Sequence, residues 1–124
     1  MNEHFEKMLD ILEPMNEERH LSILIETNGV IQKILTQRLK IHEEIKEIFN
    51  FFERIKKIEG IDLQQATIYV NGNYHVFTLI NFLIKKNPKV IVFKKNIEEF
   101  EISKIGLSHI HMRAKERNIE VREV

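Results

Sequence analysis

Six histidines, His4, His20, His42, His75, His109 and His111, are the side chains best suited to hold a metal ion or relay a proton. Only His109 and His111 are close together, and they belong to a segment with helical periodicity. On a helix, residues i and i+2 point about 200° apart, so this pair does not converge on one ion. The His-x-x-x-His spacing of helical zinc sites is absent, and the chain has no cysteine. Cys-based zinc, disulfide and redox chemistry are thereby excluded, and no metal or cofactor is expected. Nucleophilic catalysis has no better support. Ser22, Ser103 and Ser108 lack a Gly-x-Ser-x-Gly context, and no Gly-x-x-x-x-Gly-Lys-Ser/Thr loop exists to cradle a nucleotide. The Glu17-Glu18 and Glu98-Glu99 pairs read as helix-end or loop charge rather than as acid/base partners. No catalytic residue is assigned, and the protein is not expected to be an enzyme.

Two groups could still recognise a ligand. Lys85, Lys86, Lys89, Lys94 and Lys95 surround an apolar run and could meet a phosphate, although solvated lysines flanking a buried strand are the commoner arrangement. Tyr69, Tyr74 and Phe77 near those lysines could stack nucleobases. Alternating aromatics on a sheet face more often form core or cross-strand pairs, so nucleic acid is not the expected partner. The overall charge agrees: Lys+Arg and Asp+Glu both number 19. The halves differ, with residues 1–60 at −3 and 61–124 at +3.

The elements that would position these groups fit one domain over residues 1–124, with 43% hydrophobic residues to build its core. No apolar run reaches the roughly 20 residues that cross a bilayer, and MNEHFEKMLD does not read as a secretion signal. No membrane partner is expected, and a cytoplasmic location is.

Phe5, Met8, Leu9 and Leu12 mark a first helix over 2–13, ended by Pro14. Leu21, Ile23 and Ile25 alternate up to Asn28-Gly29, which supplies the two positive φ angles of a tight hairpin turn. In that hairpin Thr27 faces Val30, Ile25 faces Gln32 and Ile23 faces Ile34. A helix reading of 20–37 puts the Gly inside, at a cost of about 1 kcal/mol relative to Ala. From Ile41 to Ile58 a second helix has Ile41, Ile45, Ile48, Phe52 and Ile55 on one face and stops at Gly60.

The remainder reads in two ways. Ala66, Ile68 and Val70 form a strand, and Asn71-Gly72 can turn it into a second hairpin returning over Tyr74 to Asn81. In the rival reading Tyr74–Lys86 is a helix and this half is a parallel βαβαβ unit. The hairpin is preferred. Val90-Ile91-Val92-Phe93 is apolar on both faces and reads as a central strand. A helix over Ile102–Asn118 presents Leu107, Ile110 and Ala114, and Ile119–Val124 alternates like an edge strand.

With two hairpins, the chain resembles the Roadblock/dynein light chain family. FEKMLDIL with HLSILIETNGVIQKIL is similar to that family's first helix and hairpin, and HEEIKEIFNFFERIKK with LQQATIYVNGNYHVFTLI to its long helix and second hairpin. KVIVFKK with IGLSHIHMRAKER looks like its fifth strand and last helix, opened by Gly106-Leu107. The resemblance implies an α/β (α+β) sandwich in the order α-β-β-α-β-β-β-α. Its sheet would be antiparallel and five-stranded, with the second helix on one face and two helices on the other. It implies a homodimer that regulates or scaffolds a small Ras-like GTPase, as activator or assembly platform.

An excess of apolar surface on the second helix fits a dimer. Phe51, Ile48, Ile41, Phe52, Ile45 and Phe49 cover an arc of about 160°, against roughly 100° for a helix lying on its own sheet. The expected interface is Ile41, Ile45, Ile48, Phe49, Phe52 and Ile55 of the helix with Thr67, Ile68, Tyr69 and Val70 of an edge strand. The alternatives are a small-ligand sensory domain of related topology, with a pocket of several hundred cubic ångströms, and a nucleic-acid-binding module.

Overall fold

A computed structural model describes residues 2–13, 20–38, 46–73, 76–94 and 104–124. The elements are α1 (Asn2–Leu12), β1 (His20–Thr27), β2 (Val30–Arg38), α2 (Lys46–Lys57), β3 (Ala66–Gly72), α3 (Val76–Ile84), β4 (Val90–Phe93), α4 (Lys104–Glu116) and β5 (Glu120–Glu123). One five-stranded sheet runs β2-β1-β3-β4-β5. β1 is antiparallel to both neighbours, whereas β3, β4 and β5 are parallel to one another.

The first half follows its sequence signals. Asn28 and Gly29 both have positive φ (51° and 78°), and Thr27 pairs with Val30 as the turn requires. The expected register then slips. A bulge at Gln32 sets Ile25 opposite Lys33 and Ile23 opposite Leu35. Leu35 thereby joins the core under α2, and Ile34 turns to the other face, where it is 45% exposed.

The second half takes the rival path. Asn71-Gly72 ends a strand instead of turning it, and Val76–Ile84 is a helix. Gly72 is needed there for closeness: a Cβ would lie 2.6 Å from the His20 carbonyl oxygen on β1. The unit is therefore β3-α3-β4-α4-β5, and both crossovers lie on the α2 face of the sheet. The all-antiparallel Roadblock arrangement expected above is corrected accordingly. Among the described residues, α2, α3 and α4 cover one face and α1 covers the other.

Burial explains why α3 has no polar side to read. Val76, Leu79, Ile80, Leu83 and Ile84 are buried, and Phe77 and Phe82 are partly so. Asn81 ties this helix to α4, accepting from Arg113 Nη1 at 2.7 Å. On the opposite face Phe5, Met8, Leu9 and Leu12 of α1 pack on Leu24, Tyr69, Val90 and Val92. Each such side chain stabilises the fold by about 1.5–3 kcal/mol. β4 is buried throughout and β5 forms an edge, both as its sequence pattern indicates.

Candidate functional site

The expected interface residues are mostly inside the chain. Ile48, Phe52 and Ile55 are no more than 1% exposed and face the sheet of their own molecule. Phe49 stacks on Phe82 of α3, with ring centroids 4.2 Å apart, so α3 covers the part of the arc assigned to a partner. β3 is not an edge, because β1 and β4 flank it. Ile68 and Val70 lie in the α2-side core, Tyr69 points to α1, and Thr67 is half-buried. Ile41 and Ile45 lie outside the described residues, as do His42, Tyr74, His75 and Lys95. Tyr69 is fully buried and offers no stacking face for a base, and Phe77 is partly buried and packs edge-to-face with Phe93 at 6.0 Å.

A cavity of about 530 Å³ lies where α2 and α3 end, lined by Lys56, Gly60, Ile61, Asp62, Leu63, Gln64, Lys85, Lys86 and Asn87. Its first wall forms as α2 terminates. Gly60 turns the chain at φ 64°, and the Ile61 N–H bonds back to the Ile55 carbonyl at 3.3 Å. Asp62 then caps a single 3₁₀ turn (Leu63–Gln65), accepting at Oδ1 from the Gln64 N–H at 3.0 Å. Leu63 anchors that turn in the core.

The second wall is the end of α3. The N–H groups of Lys85, Lys86 and Asn87 bond to the carbonyls of Phe82, Leu83 and Ile84 at 2.9–3.1 Å. Asn87 reverses the chain at φ 54°, and its Oδ1 accepts from Arg117 Nη1 at 3.2 Å. Lysines suit a helix C-terminus, where the dipole is negative. Lys86 pairs with Glu53 and lies 5.1 Å from the centroid of the Phe82 ring. That hydrogen bond and charge hold the Glu53 carboxyl below its usual range, and Lys57 and Lys56 add to the effect.

Of the lysines that the sequence marks, Lys85 and Lys86 alone among the described residues line this cavity. Lys94 pairs with Glu13 at the end of α1. Lys56 and the 60–64 turn carry no motif and gain their meaning only from the approach of α3.

Two other polar clusters stand apart. Glu26, 7% exposed, accepts from the Tyr69 hydroxyl at 3.0 Å and from His4 Nε2 at 3.0 Å. Burial, then the Glu26 charge and hydrogen bond, push the Tyr69 hydroxyl well above its usual range. A tyrosine so held stays protonated and donating, and the cluster fastens α1 to the sheet. Ser22 and Thr36 are cross-strand neighbours, and both hydroxyl oxygens are buried without a hydrogen-bond partner. Among the described residues no three His, Asp or Glu side chains gather as a metal site, and no helix is long and apolar enough to cross a membrane.

No protein-family model and no curated protein matches the chain. Among solved structures, Acinetobacter baumannii RibD, form 2, is similar over 83% of this chain, at 16% sequence identity and a TM-score of 0.48. The matched part is 28% of that chain, so this domain spans little more than a quarter of its length.

Proposed function

We propose that this domain is a binding module for a small anionic molecule, held in the cavity between the ends of α2 and α3. The observation that carries the reading is the convergence of Lys56, Lys85 and Lys86 on one concavity of about 530 Å³. Ligand sites commonly occupy about 300–1,000 Å³. Of the readings open to the sequence, this is the small-ligand one, with the site at the helix ends. The test is ¹⁵N-resolved NMR during titration with inorganic phosphate, citrate and sulfate at constant ionic strength. Saturable shifts at Gly60, Gln64, Lys85 and Asn87 are expected, and uniform or absent shifts would refute the reading.

A homodimer regulating a Ras-like GTPase is a competing proposal that rests on the sequence resemblance. Titrating candidate GTPases from the same genome, loaded with GDP or a GTP analogue, tests it. Absence of binding to all of them removes it.

A further inference from the structure

The nature of the ligand can be narrowed, on the premise that the cavity binds an anion. Its cations are of two kinds. Lys86 is committed, because Glu53 holds its ammonium and the Phe82 ring lies beneath it. Lys56 and Lys85 have no ion-pair partner among the described residues. With the Asp62 carboxylate on the same concavity, the lining has a cationic part, Lys56 and Lys85, and an anionic part. A single group of about two charges brings enough to meet both cations, where a monocarboxylate brings one. A phosphate monoester carries about −1.5 to −2 at neutral pH in a single group, whereas a dicarboxylate divides that charge between two. Compact ammonium groups serve phosphate as point charges.

The remaining lining groups favour a different chemistry. Asp62 uses Oδ1 on the Gln64 N–H, which leaves its second oxygen to accept. Asn87 uses Oδ1 on Arg117, which leaves its amide N–H groups to donate. An accepting carboxylate repels a phosphate and attracts a hydroxyl. We infer that the ligand is a small hydroxylated molecule bearing one phosphate monoester, its phosphate between Lys56 and Lys85 and a hydroxyl on Asp62.

Calorimetry at fixed ionic strength tests this with glycerol 3-phosphate, ribose 5-phosphate and glucose 6-phosphate as probes. Inorganic phosphate, malate, glucuronate and the unphosphorylated polyols serve as comparisons. At least one sugar or glycerol phosphate should bind more tightly than inorganic phosphate, malate and glucuronate. Its affinity should fall as pH is lowered from about 7.5 to about 5.5, across the second phosphate ionisation near 6. Lys56→Ala and Lys85→Ala should each weaken it about fivefold, while Lys115→Ala on α4, away from the cavity, should not. Asp62→Asn should shrink the advantage over inorganic phosphate, because the amide oxygen accepts more weakly than the carboxylate, and inorganic phosphate itself should bind no less tightly than to the wild type. Malate or glucuronate binding as tightly as every phosphorylated probe would overturn this inference and leave the anion site standing. No binding by any anion would overturn both.

Discussion

The Tyr69 hydroxyl on β3 donates to Glu26 Oε1 on β1 across 3.0 Å, inside the layer between sheet and α1. The neutral phenol is the form that the fold selects, so the folded-state pKa lies above the unfolded value of about 10. The stabilisation is therefore complete below pH ~10 and is lost as pH rises beyond it. Tyr69→Phe should cost about 1–2 kcal/mol at pH 7, less than a fully stranded carboxylate would, because His4 still donates to Glu26. Urea denaturation at neutral and alkaline pH measures this, and the difference between wild type and variant should shrink above pH ~10.

Ile48→Asp and Phe52→Asp place a charge in the core under the sheet, where the native side chains are no more than 1% exposed. Each should destabilise the domain by about 4 kcal/mol or more. Loss of the cooperative unfolding transition is the expected result. A folded monomer that retains wild-type stability would mean that these residues face a partner.

Gly72→Ala and Gly29→Ala separate two uses of glycine. The first drives a Cβ to 2.6 Å from the His20 backbone oxygen, where nothing flexible can yield. A loss of about 2–3 kcal/mol is expected. The second meets nothing within 4 Å and bears only the strain of φ 78°, about 1–2 kcal/mol. Comparing the two melting curves checks the order.

Ser22→Ala should be neutral or stabilising by up to about 1 kcal/mol, since it removes a buried hydroxyl that has no partner. A clear loss of stability in chemical denaturation would show that the hydroxyl is satisfied in solution.

The sequence is most legible where periodicity and turn chemistry agree. The stripe of α1, the Asn28-Gly29 turn, the buried run of β4 and the alternation of β5 all appear in the fold. The bulge at Gln32 is invisible beforehand, because both registers leave an apolar residue facing the core, Ile34 in one and Leu35 in the other. The second half misleads for two separate reasons. Asn71-Gly72 has the composition of a turn, yet the glycine serves the close passage of β3 beside His20. α3 lies between the sheet and neighbouring helices, so the polar face that would betray its period is missing. The candidate cavity is the least legible part. It joins residues 56–64 to residues 85–87, and only the crossover from β3 to β4 brings them together.

The lone antiparallel strand has a consequence for the order of synthesis. β1 closes its hairpin with β2 across a two-residue turn, within microseconds of both strands becoming available. Its other edge waits for β3, and its inward side chains Leu21, Ile23 and Ile25 wait for α2 and α3. Chains grow at about 5–20 residues per second, so a newly made hairpin shows one bare apolar face and one unpaired edge for seconds. The edge is covered when Ala66–Gly72 emerges and aligns along β1, the apolar face only when α3 follows, and until then the nascent chain is at its most adhesive.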